Sequence, residues 1–225
     1  MQGKGFRCAQ LVEGEETMPQ TNLGALFKLF SIAFEPPTLG LADLVVSGAL
    51  AADMQAAWEA LELPRRSSAA FAEGLSEYAG RDAEEMMHEL RRESTRLFLG
   101  DRPLVTNSEG LWRKKAEGKT NAVLIINSYS LEVADFMRSC GVVRAEGYND
   151  CVDYIETECD FASFLADAPD YLAGLGKDPV ALLEEFMQDH MNRWVPGFCS
   201  EVVQAARAVY YRELGALMGE FIKEF

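Results

Sequence analysis

The sequence has no apolar run near the roughly 18 residues that would carry a helix across a bilayer. It has only two histidines, His88 and His190, far apart in the chain, and no zinc-type ligand spacing. A histidine-rich metal centre is therefore excluded. The five cysteines, Cys8, Cys140, Cys151, Cys159 and Cys199, are odd in number and form no CxxC pair, which reads as reduced thiols. GxGxxG, P-loop, HExxH and GxSxG patterns are all missing, and with them the commonest phosphate-cradling and hydrolytic machinery. Positive charge is scarce: 21 Lys and Arg stand against 36 Asp and Glu, a net charge of -15. That balance argues against nucleic acid and against an anionic membrane surface. It favours a cationic partner, or serves solubility alone. Runs that alternate apolar and polar residues are also lacking. The short run Val123-Leu124-Ile125-Ile126 reads equally as a buried strand or a buried helical turn.

What is present is an ordinary globular composition, 48% hydrophobic and 25% charged over 225 residues. Residues 1–20 carry Lys4 and Arg7 without an apolar block behind them, and then Glu13, Glu15 and Glu16. They read as a flexible tail and not a secretory signal, so the expected compartment is the cytoplasm. Helical periodicity dominates the rest. Leu23, Leu26, Phe27, Phe30 and Phe34 form one stripe over 21–34, closed by Pro36-Pro37. Further helices are predicted over 41–52, 53–61 and 67–78. Asp82, with Glu85 three residues on, caps a helix over 82–98 whose buried side is Met86, Met87, Leu90, Leu97 and Phe98. Gly100 supplies its left-handed stop. Residues 101–119 read as a long loop. Helices follow to Cys140, over 151–165 with Asn149 or Asp150 as cap, over 179–192 with Pro179 in the first turn, and over 195–225. The fold class is all-α: a single-domain bundle of about nine helices over 21–225.

Three segments carry a resemblance. The first is 89–100, ending Arg96-Leu97-Phe98-Leu99-Gly100, followed by Pro103 and by Ser108-Glu109-Gly110-Leu111-Trp112. It resembles a pattern E-Y-x-x-L-F-x-G-P with a later E-S-V-Y. The second, Asp153-Tyr154-Ile155-Glu156-Thr157-Glu158-Cys159-Asp160-Phe161, resembles D-H-I-x-x-E-L-E-F-M. The third runs from Phe186 through His190 and Trp194 to Phe198, with Tyr210-Tyr211 beyond, and resembles F-x-x-x-H-L-x-x-W-x-P-x-F followed by F-Y. Phe34-Glu35-Pro36-Pro37 resembles the end of the same family's first helix. In this order the segments are similar to the TorD/DmsD/NarJ family of molybdoenzyme maturation chaperones. Three positions depart: Tyr154 follows Asp153 in place of histidine, Ser94 replaces a tyrosine, and Val105-Thr106-Asn107 replaces a proline-rich stretch.

The resemblance implies a cytosolic chaperone and not an enzyme, with no cofactor of its own. Its partner would be a molybdopterin oxidoreductase subunit or that subunit's twin-arginine leader, held until cofactor insertion. A homodimer is compatible with such bundles. The implied peptide-binding residues are Glu93, Leu97, Phe98, Gly100, Pro103, Ser108, Trp112, Asp153, Tyr154, Glu158 and Phe161. Leu97, Phe98 and Trp112 would bury apolar leader side chains, while Asp153 and Glu158 would meet arginine guanidiniums through charge-assisted bonds. Plainer roles stand beside these. Asp153 can cap its own helix, Glu158 can pair with a nearby arginine, and Leu97 and Phe98 can be core. His190 and Trp194 can pack the joint between the last two helices. Two other functions remain in view: a scaffold docking a folded subunit without reading a leader, and weak nucleotide binding or hydrolysis.

Overall fold

A computed structural model describes residues 21–99, 103–118, 126–142 and 151–225. The expected tail at 1–20, Gly100, most of the 123–126 run and the cap candidates Asn149 and Asp150 lie outside these residues. The first stripe forms α1 (Asn22–Phe34), with Leu26, Phe27, Phe30 and Phe34 buried. Thr21 caps it, its Oγ1 accepting the Gly24 N–H at 2.9 Å, and is itself anchored to Asp167 Oδ1 through its own N–H and hydroxyl. Then come α2 (Leu39–Val46), α3 (Ala49–Ala60) and α4 (Arg65–Leu75), the last continued by a 3-10 turn through Tyr78. Helix α5 (Ala83–Phe98) starts at Asp82, whose carboxylate accepts the Glu85 N–H at 2.9 Å as its spacing predicts. Arg91, on α5, donates Nε–H to the Pro37 carbonyl at 2.8 Å and so ties down the turn that ends α1.

The second half is cut more finely than periodicity suggests. The expected loop at 101–119 contains α6 (Glu109–Ala116), and after α7 (Ser128–Ser139) the chain forms α8 (Ile155–Asp167), α9 (Pro169–Gly174) and α10 (Pro179–Phe186). A π turn at Met187–Met191 joins α10 to α11 (Asn192–Ala205) without a break. Pro196 lies inside α11 and has no N–H to give to the preceding turn. Arg193 Nε–H donates to the Gln188 carbonyl of the π turn at 2.9 Å. The long helix expected over 195–225 is two helices, because α11 stops at Ala205 and α12 (Val209–Phe221) starts after an extended step at Ala206 and Ala208. No strand occurs among the described residues; a lone antiparallel bridge joins Ser108 and Tyr154.

The core forms around α1 and α12. Helix α1 lies along α8, where Ser163 donates to the Gly24 carbonyl at 2.8 Å and Lys28 pairs with Asp160 at 2.5 Å. Helix α12 packs on α4 and α11. Its Phe221 meets Phe27, Phe30 and Trp58 at ring separations of 5.1, 5.5 and 6.1 Å. A second aromatic group, Phe136, Phe161, Phe186 and His190, joins α7, α8 and α10 to the π turn. No single helix among the described residues is long and apolar enough to cross a membrane. The bent pair α1 and α2 meets that test together at 115°, but α1 spends its apolar face on this core.

Candidate functional site

The three segments that carry the resemblance meet in one buried junction. Residues 107–109 run antiparallel to 153–155, with Glu109 N–H donating to the Asp153 carbonyl at 2.8 Å and Ile155 N–H to the Asn107 carbonyl at 3.0 Å. This short ladder delays α8 to Ile155 and brings Asp153 beneath the start of α6. Asp153 is fully buried. Its Oδ2 accepts the Ser108 hydroxyl at 3.0 Å, the Gly110 N–H at 2.8 Å and the Ser130 hydroxyl at 2.8 Å. The residue does cap a helix, but the helix is α6 and not its own. Ser108 is the formal N-cap of α6. Gly110 is needed for close approach: a Cβ there would lie 2.5 Å from the Asn127 side chain and 2.6 Å from Ser130 Oγ.

Glu109 and Glu158 are also fully buried. Glu109 Oε1 accepts Arg113 Nη1–H at 2.6 Å, and its Oε2 lies 3.0 Å from His190 Nδ1. Glu158 Oε2 accepts the indole N–H of Trp194 at 2.9 Å; among the described residues no arginine pairs with it. Burial first, then the charge of Glu109, hold the Glu158 carboxyl well above the usual carboxylate range, against the pull of the Trp194 N–H. His190 and Trp194 do pack the joint after α10, and they also bond the two motif carboxylates. Above the junction lies a cleft of about 470 Å³ lined by Arg113, Glu132, Asp189, His190 and Arg193. Its arginines are partly engaged. Arg113 also donates to the Asp189 carbonyl at 3.3 Å, and its guanidinium stacks 3.9 Å from the Tyr129 ring centroid.

The other implied residues are spread more widely. Leu97 and Phe98 are buried in the core, Phe98 against Phe198 and Tyr211. Phe161 is buried in the second aromatic group. Tyr154 and Trp112 are half-buried and Pro103 is exposed. Glu93 is not at the junction. It sits under the gap between α11 and α12, where Oε1 accepts the N–H groups of Arg207 at 2.6 Å and Ala208 at 3.2 Å. Arg96 grips the same carboxylate twice, at 2.8 and 2.6 Å, and donates to the Ala205 carbonyl at 2.7 Å.

Glu109, Arg113 and Ser130 belong to the junction but not to the residues implied by the resemblance. Glu109 and Arg113 stand four apart, with Ser108 before and three basic residues in the last turn, which together is a helix signature. Ser130 has no such signal. Trp112 rests on Gly197 of α11 so closely that a Cβ at Gly197 would lie 2.2 Å from the indole Cζ2. Gly197→Ala should therefore push α6 off α11 and lower stability by about 1–3 kcal/mol in urea unfolding. A change below about 0.5 kcal/mol would mean that the α6 seat is loose.

The sequence profile described as nitrate reductase delta subunit matches residues 49–200, a span that holds all of the junction. Such a profile and an all-α fold define a class of molybdoenzyme maturation chaperones, which act with molybdoenzyme catalytic subunits and are not catalysts themselves. The chain belongs to this nitrate reductase delta subunit family. No curated protein matches it in sequence. Among the described residues no group of three or more His, Cys, Asp or Glu side chains is arranged to hold a metal ion.

Proposed function

We propose that the chain is a cytoplasmic chaperone that holds the apo form of a molybdopterin oxidoreductase subunit by its arginine-bearing, partly apolar leader until cofactor insertion. One observation carries this reading. The motif segments converge beneath a single polar cleft in a protein of net charge -15. At its rim Glu132 offers a carboxylate to a guanidinium group, Asp189 already stands 3.7 Å from the guanidinium of Arg193, and half-buried Trp112 and Tyr154 offer apolar surface near the junction. The excess negative charge steers a cationic segment toward the protein.

Calorimetric titration with a synthetic twin-arginine leader tests the proposal. Binding at ~100 µM or tighter is expected, and it should weaken as salt is raised. A replacement of the arginine pair by glutamine should lose most of the affinity. Heat-silent titration up to ~100 µM would sink the leader reading. A second reading, docking of a folded subunit without leader recognition, is favoured by the burial of Leu97, Asp153, Glu158 and Phe161 inside the body. Capture of a leader-deleted partner as well as the intact one would support it.

A further inference from the structure

The cleft above the junction already holds a guanidinium in a polar seat, and that guanidinium belongs to the chain itself. Two consecutive carbonyls of the π turn are met by arginine side chains. The Gln188 carbonyl accepts Arg193 Nε–H at 2.9 Å, and the Asp189 carbonyl accepts Arg113 Nη1–H at 3.3 Å. The two arginines are held very differently. Arg113 is largely covered, bonds the buried Glu109 carboxylate at 2.6 Å and stacks on Tyr129. Arg193 has only the Gln188 carbonyl and, at 3.7 Å, the Asp189 carboxylate, with the two side chains of that pair 59% and 61% exposed. At that distance the pair has no direct hydrogen bond, and an exposed pair of this kind is weak.

His190 makes the seat more than an acidic rim. Its side chain is only 6% exposed, yet it lines the cleft. The ring is wedged against Phe136 and Phe186. Nδ1 lies 3.0 Å from Glu109, a carboxylate that already accepts Arg113 and has no proton to give, so Nδ1 carries the hydrogen. Nε2, on the other side of the ring, has no hydrogen-bond partner among the described residues. In the neutral ring it is an acceptor. With the Gln188 carbonyl and the carboxylates of Asp189 and Glu132, the cleft thus gathers acceptors from two elements around one small volume. The planar fork of N–H donors on a guanidinium fits such a set, and the point charge of an ammonium does not.

We infer that Arg193 is a resident stand-in for an arginine of the client: it occupies a guanidinium seat on the π turn and is displaced when the client's own arginine arrives. The identity of the incoming arginine rests on the client-holding reading; the seat does not. A seat that is occupied from within lowers the apparent affinity by the fraction of time it is filled. Removal of Arg193 therefore has the opposite sign to removal of a contact residue, because it deletes a competitor and no contact.

Titration of the full chain with the synthetic twin-arginine leader reads this sign. Arg193→Ala should bind about three- to tenfold more tightly than the wild type. In an Asp189→Asn background that gain should disappear, since both changes act on one seat. Arg65→Ala removes the same charge from a highly exposed position at the start of α4 and should leave affinity within about twofold. Unchanged or weaker binding by Arg193→Ala, or equal tightening by Arg65→Ala, overturns the proposal. The substituted side chains are all exposed, so each variant should keep its fold. A second arm contains no leader. N-acetyl-arginine N-methylamide, added to the Arg193→Ala protein, should shift backbone amide signals at 187–193 by about 20 mM, at severalfold lower concentration than in the wild type. The lysine counterpart should not. No such shift in the variant up to about 100 mM overturns the seat. Leader silence with the arginine probe seated removes the client reading and leaves the seat. Normal leader binding that Arg193→Ala does not tighten removes the stand-in and leaves the client reading.

Discussion

Asp153→Ala is expected to lower folding stability by about 4 kcal/mol and to detach α6 from the bundle. The carboxylate is fully buried and is the shared acceptor for Ser108, Gly110 and Ser130. Alanine would leave three donors in a place water does not reach, and each such donor costs about 1–3 kcal/mol. The penalties do not add fully, because α6 can swing out and rehydrate its own N-terminus. That escape predicts a second signature, loss of exchange protection confined at first to α6. Asp153→Asn keeps one acceptor oxygen and should lose about half as much. Urea unfolding decides the matter, and a loss below about 1 kcal/mol for the alanine variant would mean that the three bonds are not satisfied in solution. Loss of client binding in the same variant would not by itself show that Asp153 touches a client, since its main work is to build the ground on which α6 stands.

Glu93→Ala is expected to cost about 3 kcal/mol, for a reason unrelated to any bound peptide. It strips the cap from the first residues after the α11–α12 break and leaves Arg96 without its partner. Burial alone would raise the Glu93 carboxyl, but the Arg96 guanidinium and the N–H groups of Arg207 and Ala208 outweigh it, so the net shift is downward. A lowered carboxyl contributes stability that is present above the ordinary value of about 4.3 and disappears as pH falls through the lowered one. The wild type should therefore weaken on the acid side through Glu93. Glu93→Gln should flatten that limb and leave the alkaline side unchanged. Equal acid sensitivity in wild type and Glu93→Gln would show that Glu93 is not the group responsible. Arg96→Ala should cost less in combination with Glu93→Ala than alone, because both act through one clip.

Helices that announce themselves by stripe and cap were legible in the sequence: α1 from its phenylalanines and the proline pair after it, α5 from Asp82 and Glu85, α10 from Pro179. The finer cuts were not. Ala206-Arg207-Ala208 contains no residue that disfavours helix, and the break is stabilised by a carboxylate more than 100 positions earlier in the chain. Helix α6 carried its own start and stop signals, but they were hidden inside a span whose glycines and proline suggested a loop. The junction was legible in part. Motif resemblance pointed to Ser108, Asp153 and Glu158, which the fold does bring together. Periodicity says which side of a helix is buried and not what it is buried against. It therefore could not separate Glu93, at one joint, from Ser108 and Asp153, at another. It also gave His190 and Trp194 as packing residues without their hydrogen bonds.

The position of α12 bears on how the chain comes into being. Tyr210 donates its hydroxyl to the Ala33 carbonyl at 2.8 Å, and Phe221 fills the space between α1 and Trp58 of α3. The core around α1 thus closes on α12 across a sequence separation of 177 residues. Contacts between segments so far apart form late, because a long loop must close before they stabilise anything. Folding should therefore finish, and not begin, with the seating of α12 between α1 and α3.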